Sequence, residues 1–131
     1  MPAFDQTDLQ QTFIRLIELF NAGNYNGMRP FLHPNIIWKM LHHADSITGA
    51  ENVIQWLLSQ KVSLNPQFVP DSANEHTDPP NSDGSRRIHG PAQWKGQKDG
   101  GSNERVEYNF TFTTDRNSRW LLINAFGHLT H

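Results

Sequence analysis

"NAGNYNGMRPFLHPNIIWKMLHH", residues 21–43, decides the fold, because its hydrophobic period changes partway along. Over residues 24–32 the apolar side chains Tyr25, Met28 and Leu32 recur at helical spacing and predict a short helix. Pro30 lies inside it, where it removes a donor and crowds the preceding turn, so a kink or one irregular turn is expected. Pro34 and Asn35 then break the helix, and the β-branched and aromatic residues that follow predict a strand over 36–42. Alternation along that strand places Trp38, Met40 and His42 on one face and His43 on the other, exposed one. His33 reads as a residue at a helix C-terminus, interacting with the last carbonyls.

Upstream, Leu9, Phe13, Leu16, Ile17 and Phe20 mark one face of a helix over 8–22, with Thr7 or Asp8 as its cap and Gly23 as its stop. Downstream, "TGAENVIQWLLSQ" carries a capping box, Thr48 and Glu51, ahead of the stripe Val53, Ile54, Leu57 and Leu58, and the helical signal ends after Gln60. Strands follow. "QFVPDSANEH" reads as an irregular edge strand because Pro70 cannot serve a central ladder. "DPPNSDGS" is a turn cluster, "RRIHGPAQWKG" a strand interrupted by Gly90 and Pro91, and "QKDGGSN" a hairpin tip. Over 104–114, Val106, Tyr108, Phe110 and Phe112 alternate with polar residues and give a one-faced strand. "WLLINAFGHL" is apolar on both parities: Trp120, Leu122 and Phe126 on one, Leu121, Ile123, Ala125 and Leu129 on the other. Such a strand is either covered on both sides or meets a second subunit with its outer face.

The whole chain, 1–131, reads as one domain, long enough for a core without metals or staples. With 11 basic against 13 acidic residues, a net charge of -2 and no block of either sign, it lacks the basic stripe that nucleic acid requires. It has no cysteine, so disulfides and thiolate metal sites are excluded. No apolar run approaches a membrane span and the N-terminus shows no signal pattern, so a cytoplasmic protein with no membrane partner is expected.

Taken in order, helix, helix, strand, helix and a four-strand antiparallel run, with "FNAGNYNGMRPFLHPNIIW", "ITGAENVIQWL" and a closing "RWLLINAFGHL", the chain resembles the nuclear transport factor 2-like superfamily and its SnoaL-like branch. The resemblance implies an α+β fold, a curved antiparallel sheet wrapped around three N-terminal helices to form a cone with an apolar cavity. It also implies a homodimer through the sheet. Functions on this fold range from isomerases, cyclases and dehydratases to domains that only bind or assemble, so the resemblance narrows the site more than the reaction. Aligned on "NAG", the basic aspartate of the ketosteroid isomerase branch falls at Met40 and its first-helix tyrosine near Leu16, and neither residue can perform acid–base work.

The remaining polar candidates are few. Among seven histidines, His42 and His128 are the acid–base candidates, since an imidazole titrates near neutral pH. Each competes with a plain structural role. His76, His89 and His128 lie on separate strands without HxH or HExxH spacing, so no metal is expected, and no cofactor either. Trp38, Met40, Trp94 and Phe110 are candidate cavity walls for a flat apolar ligand, while Tyr108 and Asn124 are the polar groups that would orient it. The expected function is binding of a small apolar, cyclic molecule. A proton-transfer enzyme of isomerase, cyclase or dehydratase type, and a non-catalytic dimerisation or partner-binding domain, are the alternatives.

Overall fold

The computed structural model describes residues 6–40, 46–64, 67–95, 103–116 and 119–129. Helix α1 (Gln6–Asn21) carries the first apolar stripe, and Leu9, Phe13, Leu16 and Phe20 are all buried. Thr7 and Asp8 lie inside its first turn rather than at the cap position, and Asp8 sets a carboxylate near the positive end of the helix dipole. Gly23 ends it at φ 74°, with its N–H donating to the Phe20 carbonyl and that of Asn24 to the Leu19 carbonyl, the paired bonds of a Schellman stop.

The predicted second helix is half as long as its periodicity suggests. Helix α2 covers Tyr25–Met28, and Arg29–Phe31 then tightens into a single 3₁₀ turn with Pro30 near its start. That is the irregular turn Pro30 demands. The chain is extended from Leu32 in β1 (Leu32–Met40), four residues earlier than predicted, so His33 lies in a strand, where its Nδ1 accepts the Asn35 N–H at 3.0 Å.

After β2 (Ile47–Thr48), helix α3 runs Ala50–Leu64. The capping box does not form: Glu51 accepts two hydrogen bonds from Arg29, at 3.1 and 3.2 Å, and Gly49 at φ 99° takes the cap position, its carbonyl accepting the Val53 N–H. The helix also outlasts its predicted end at Gln60, because nothing before Pro66 breaks it.

The sheet order is β2-β1-β7-β6-β5-β3, with β3 (Gln67–Pro70), β4 (His76–Thr77), β5 (Arg86–Lys95), β6 (Asn103–Thr114) and β7 (Trp120–Leu129); β4 also pairs with β5. It is α+β and mostly antiparallel, but β1 lies parallel to β7. Helix α1 packs on β3 and β7 and α3 on β1 and β2, so the helices cover one face from edge to edge. Asn21 closes the β3 edge: its amide donates to the Phe68 carbonyl at 2.9 Å and accepts the Phe68 N–H at 2.7 Å, doing the work of an absent neighbouring strand.

Gly90 and Pro91 do not interrupt β5, which pairs with β6 along its whole length. The interruption they serve is in the neighbouring edge, where a 3₁₀ turn, Ser72–Asn74, separates β3 from β4. Pro91 offers its carbonyl to the Asp71 N–H on that side, so its missing N–H faces the gap and costs the ladder no bond. A Cβ on Gly90 would lie 3.0 Å from the Asn74 carbonyl oxygen and 3.2 Å from the Glu75 Cα, so any larger residue would press the turn outward by a few tenths of an ångström.

The two-sided apolarity of β7 also has a local cause. Thr111 pairs with Asn124 but Phe112 pairs with Leu122, leaving Ile123 as an extra residue, a β-bulge. Beyond it the parity reverses, so Trp120, Leu122 and Ala125 are all buried on the inner face while Phe126 and His128 face outward.

Candidate functional site

The inner face is an aromatic shell. Phe13 stacks on Tyr108 at 5.7 Å and meets Phe110 edge-on at 5.6 Å, Phe68 stacks on Phe110 at 5.9 Å, and Phe20 lies 5.7 Å from Trp94 and 6.3 Å from Trp38. Between α1 and this shell is a cavity of about 20 Å³ lined by Leu16, Ile17, Phe20, Met28, Trp38, Phe68, Trp94, Phe110 and Leu122. That is room for about one water molecule, yet a water needs two or more polar partners and the surface lining this space is wholly apolar. The space is therefore dry. Only Ile17 and Trp94 among the nine are partly exposed, so the route in lies between α1 and the end of β5.

Trp38 is 3% exposed, and its indole Nε1–H has no hydrogen-bond partner among the described residues. A buried donor left unmet costs about 1–3 kcal/mol.

Tyr108 is fully buried next to the cavity, but its hydroxyl turns away from it and donates to the Glu75 Oε1 at 3.1 Å. The other carboxylate oxygen of Glu75 accepts from Gln10 of α1 at 3.0 Å, so the edge segment that Gly90 admits is tied to both sheet and helix. Glu75 and Gln10 carry no pattern that sequence reading could use: Glu75 meets Tyr108 across 33 positions of chain and Gln10 across 65. Burial, and then the Glu75 charge and hydrogen bond, push the Tyr108 hydroxyl far above the ordinary tyrosine range. Because the folded chain holds this proton more tightly than the unfolded one, the associated stability is intact below pH about 10 and drains away as pH rises beyond it. Tyr108→Phe is expected to lose about 1–2 kcal/mol at neutral pH through the lost hydrogen bond. It should also flatten the loss of stability above pH 10, leaving the share due to buried Tyr25, whose hydroxyl is likewise raised. Urea midpoints between pH 9 and 11 measure this, and parallel slopes for the two proteins would contradict it.

The other sequence candidates divide between the two faces. Trp38, Trp94 and Phe110 line the cavity together. Asn124 and His128 lie on the outer face, not beside the cavity as simple alternation along β7 predicts, because the bulge at Ile123 reverses the parity. Asn124 lines a shallow outer groove of about 340 Å³ with Asn35, Ile37 and Thr111, while His128 is exposed with its ring 5.8 Å from Phe126. Met40 ends the described part of β1, its backbone in register with Gly127; its side chain, and His42 and His43, lie outside the described residues. His76 and His89 stack at 5.5 Å across β4 and β5, and His89 Nε2 lies 2.8 Å from Asp78 Oδ1. With the Arg87 guanidinium also on it, that carboxyl is held below its usual range. No three of these groups gather in a metal-binding cluster among the described residues.

No protein-family model and no curated protein matches the sequence. Solved structures do match. A Streptomyces avermitilis protein, assigned as a dehydratase of the nuclear transport factor 2-like family, superposes with a TM-score of 0.81 over 100% of this chain and 99% of its own, at 10% identity. The chain has the nuclear transport factor 2-like fold. A Xanthomonas campestris protein, assigned as a calcium/calmodulin-dependent protein kinase II association domain, matches with a TM-score of 0.77 at 14% identity, over 93% of this chain and 85% of its own. A Catenulispora acidiphila protein in complex with S-DNPA matches at 0.72 and 12% identity, over 94% and 91%. On this nuclear transport factor 2-like frame, Leu16 lies in the cavity wall as a bare aliphatic surface.

Proposed function

We propose that this chain binds a small apolar, ring-shaped molecule between α1 and the inner face of the sheet, in an opened form of the apolar cavity. The observation that carries this reading is the wall itself: nine apolar or aromatic side chains from two helices and five strands converge there, and the two partly exposed members, Ile17 and Trp94, lie together as an entrance. Displacing Trp94 outward and letting flexible Met28 repack would enlarge the space without moving a strand. That a protein of this fold is found in complex with S-DNPA supports a small-molecule-binding reading. Binding is favoured over proton transfer because no lining residue described here titrates near neutral pH and the Tyr108 hydroxyl is engaged by Glu75.

The outer face supports a second element of the reading, a homodimer. Ile123, partly exposed, lies there with Ile37, 42% exposed, and Phe126, 38% exposed, on adjoining strands β1 and β7, an apolar surface suited to a second copy of this chain. Native mass spectrometry of the purified protein tests both. A two-subunit species that carries an apolar adduct, or takes up an added cyclic hydrocarbon, is the expected result. A monomer at micromolar concentration would remove the dimer, and a species that never gains mass would remove the ligand.

A further inference from the structure

Independently of the cavity, we propose that the outer face carries an exchangeable site for a divalent cation of the zinc class, held by the imidazoles of His76 and His89. The two residues are direct partners across the β4–β5 pairing, and their ring centroids lie 5.5 Å apart. Two imidazoles that share one cation at N–metal distances of about 2.0–2.1 Å and near-tetrahedral angles have centroids about 5.3 Å apart. The strand pairing therefore already sets the separation a chelate needs. The rings, inclined at 29°, must still turn for their nitrogens to converge, and the His76 side chain is exposed and has room to do so. His89 is oriented from behind: its Nε2 lies 2.8 Å from Asp78 Oδ1, while the Arg87 guanidinium holds Oδ2 of the same carboxylate. A carboxylate so paired only accepts, so the neutral His89 ring carries its proton on Nε2 and keeps the Nδ1 lone pair for a metal. That hydrogen bond also raises the basicity of the ring. Two imidazoles without a coordinating carboxylate favour zinc, copper or nickel over magnesium and calcium, which take oxygen ligands. Only two donors converge, in keeping with the absence of a three-donor cluster among the described residues, so water or an added ligand completes the coordination. The sequence has no HxH or HExxH spacing here, because the pair exists only through the strand pairing. A bound ion would tie the two-residue strand β4 to β5.

The test titrates the native chain with Zn2+ at neutral pH while nuclear magnetic resonance follows the histidine ring C–H signals, with His76→Ala, His89→Ala and Asp78→Asn alongside. The His76 and His89 signals, assigned by their loss in the two alanine variants, are expected to move together and saturate as one site. Mg2+ at the same concentration should leave them unmoved. Apparent zinc affinity should fall at least about tenfold in His76→Ala, because the two imidazoles bind as parts of one molecule. It should fall about tenfold in Asp78→Asn, which keeps both imidazoles and weakens the bond that orients one of them. If His89→Ala does not fold, His76→Ala, at an exposed position on the sheet edge, still decides the matter. Native affinity in His76→Ala, or zinc shifts of equal strength at His33 and His128, would mean an adventitious ion only and overturn the site. Signals of His76 and His89 that stay unmoved at millimolar zinc would overturn it as well.

Discussion

Phe13→Ala lowers the stability of this domain by about 4 kcal/mol, or roughly 15 °C in Tm at this chain length. Phe13 is 2% exposed and is the one α1 side chain in ring contact with Tyr108, Phe110 and Phe112 together. Removing it vacates the middle of the helix–sheet interface, and because its neighbours are rigid rings on strands joined along their length, the gap cannot close by small shifts. The adjacent Ile14, 46% exposed on the opposite side of α1, provides the control: Ile14→Ala should change stability by no more than about 0.5 kcal/mol. Thermal and urea unfolding of the two variants measure the contrast. Similar losses for both would mean that α1 does not sit on the sheet as described.

Trp94→Ala should turn the nearly filled cavity into one that accepts a benzene-sized guest. The wild-type space of about 20 Å³ is too small for any ring, and Trp94 is the largest side chain at its entrance. Deleting the indole leaves a hollow on the scale of the roughly 150 Å³ apolar cavities that stay dry and bind benzene. Because Trp94 is partly exposed, the cost should lie near the lower end for such truncations, about 3 kcal/mol. Saturating benzene should then restore part of the lost Tm in the variant, by more than any shift in the wild type, whose wall must move first. An unchanged Tm would mean that Phe20 and Phe68 collapse into the gap, as in a core built only to be filled.

Much of the fold was legible because the period of a hydrophobic pattern is a local property. The stripe Leu9, Phe13, Leu16 and Phe20, the stop at Gly23, the irregular turn at Pro30 and the alternation of Val106, Tyr108, Phe110 and Phe112 each depend on neighbours within a few residues. The same local signals placed Trp38, Trp94 and Phe110 on the cavity wall. They failed where a residue answers to a distant partner. Gly90 and Pro91 look like breaks in their own strand, but they accommodate a break in the next one, a relation only strand pairing creates. Asn124 and His128 were displaced by a single extra residue, Ile123, that no side-chain pattern marks. Glu51 fits a capping box in sequence, yet in the folded chain its carboxylate accepts from the guanidinium of Arg29, 22 residues away, and from Gln55.

By itself, then, the sequence determined the element types, the inward-facing residues of α1 and β6, and the absence of any thiol or basic surface, since all of these follow from side-chain chemistry and local backbone preference. Tertiary structure alone decided that the space on the inner face is nearly filled, that Ile17 and Trp94 are its partly exposed lining, that the Tyr108 hydroxyl bonds to Glu75, and that the Trp38 indole N–H has no partner among the described residues. The reason is physical: volume, burial and hydrogen-bond satisfaction are sums over neighbours in space, and a chain does not choose those neighbours until it folds.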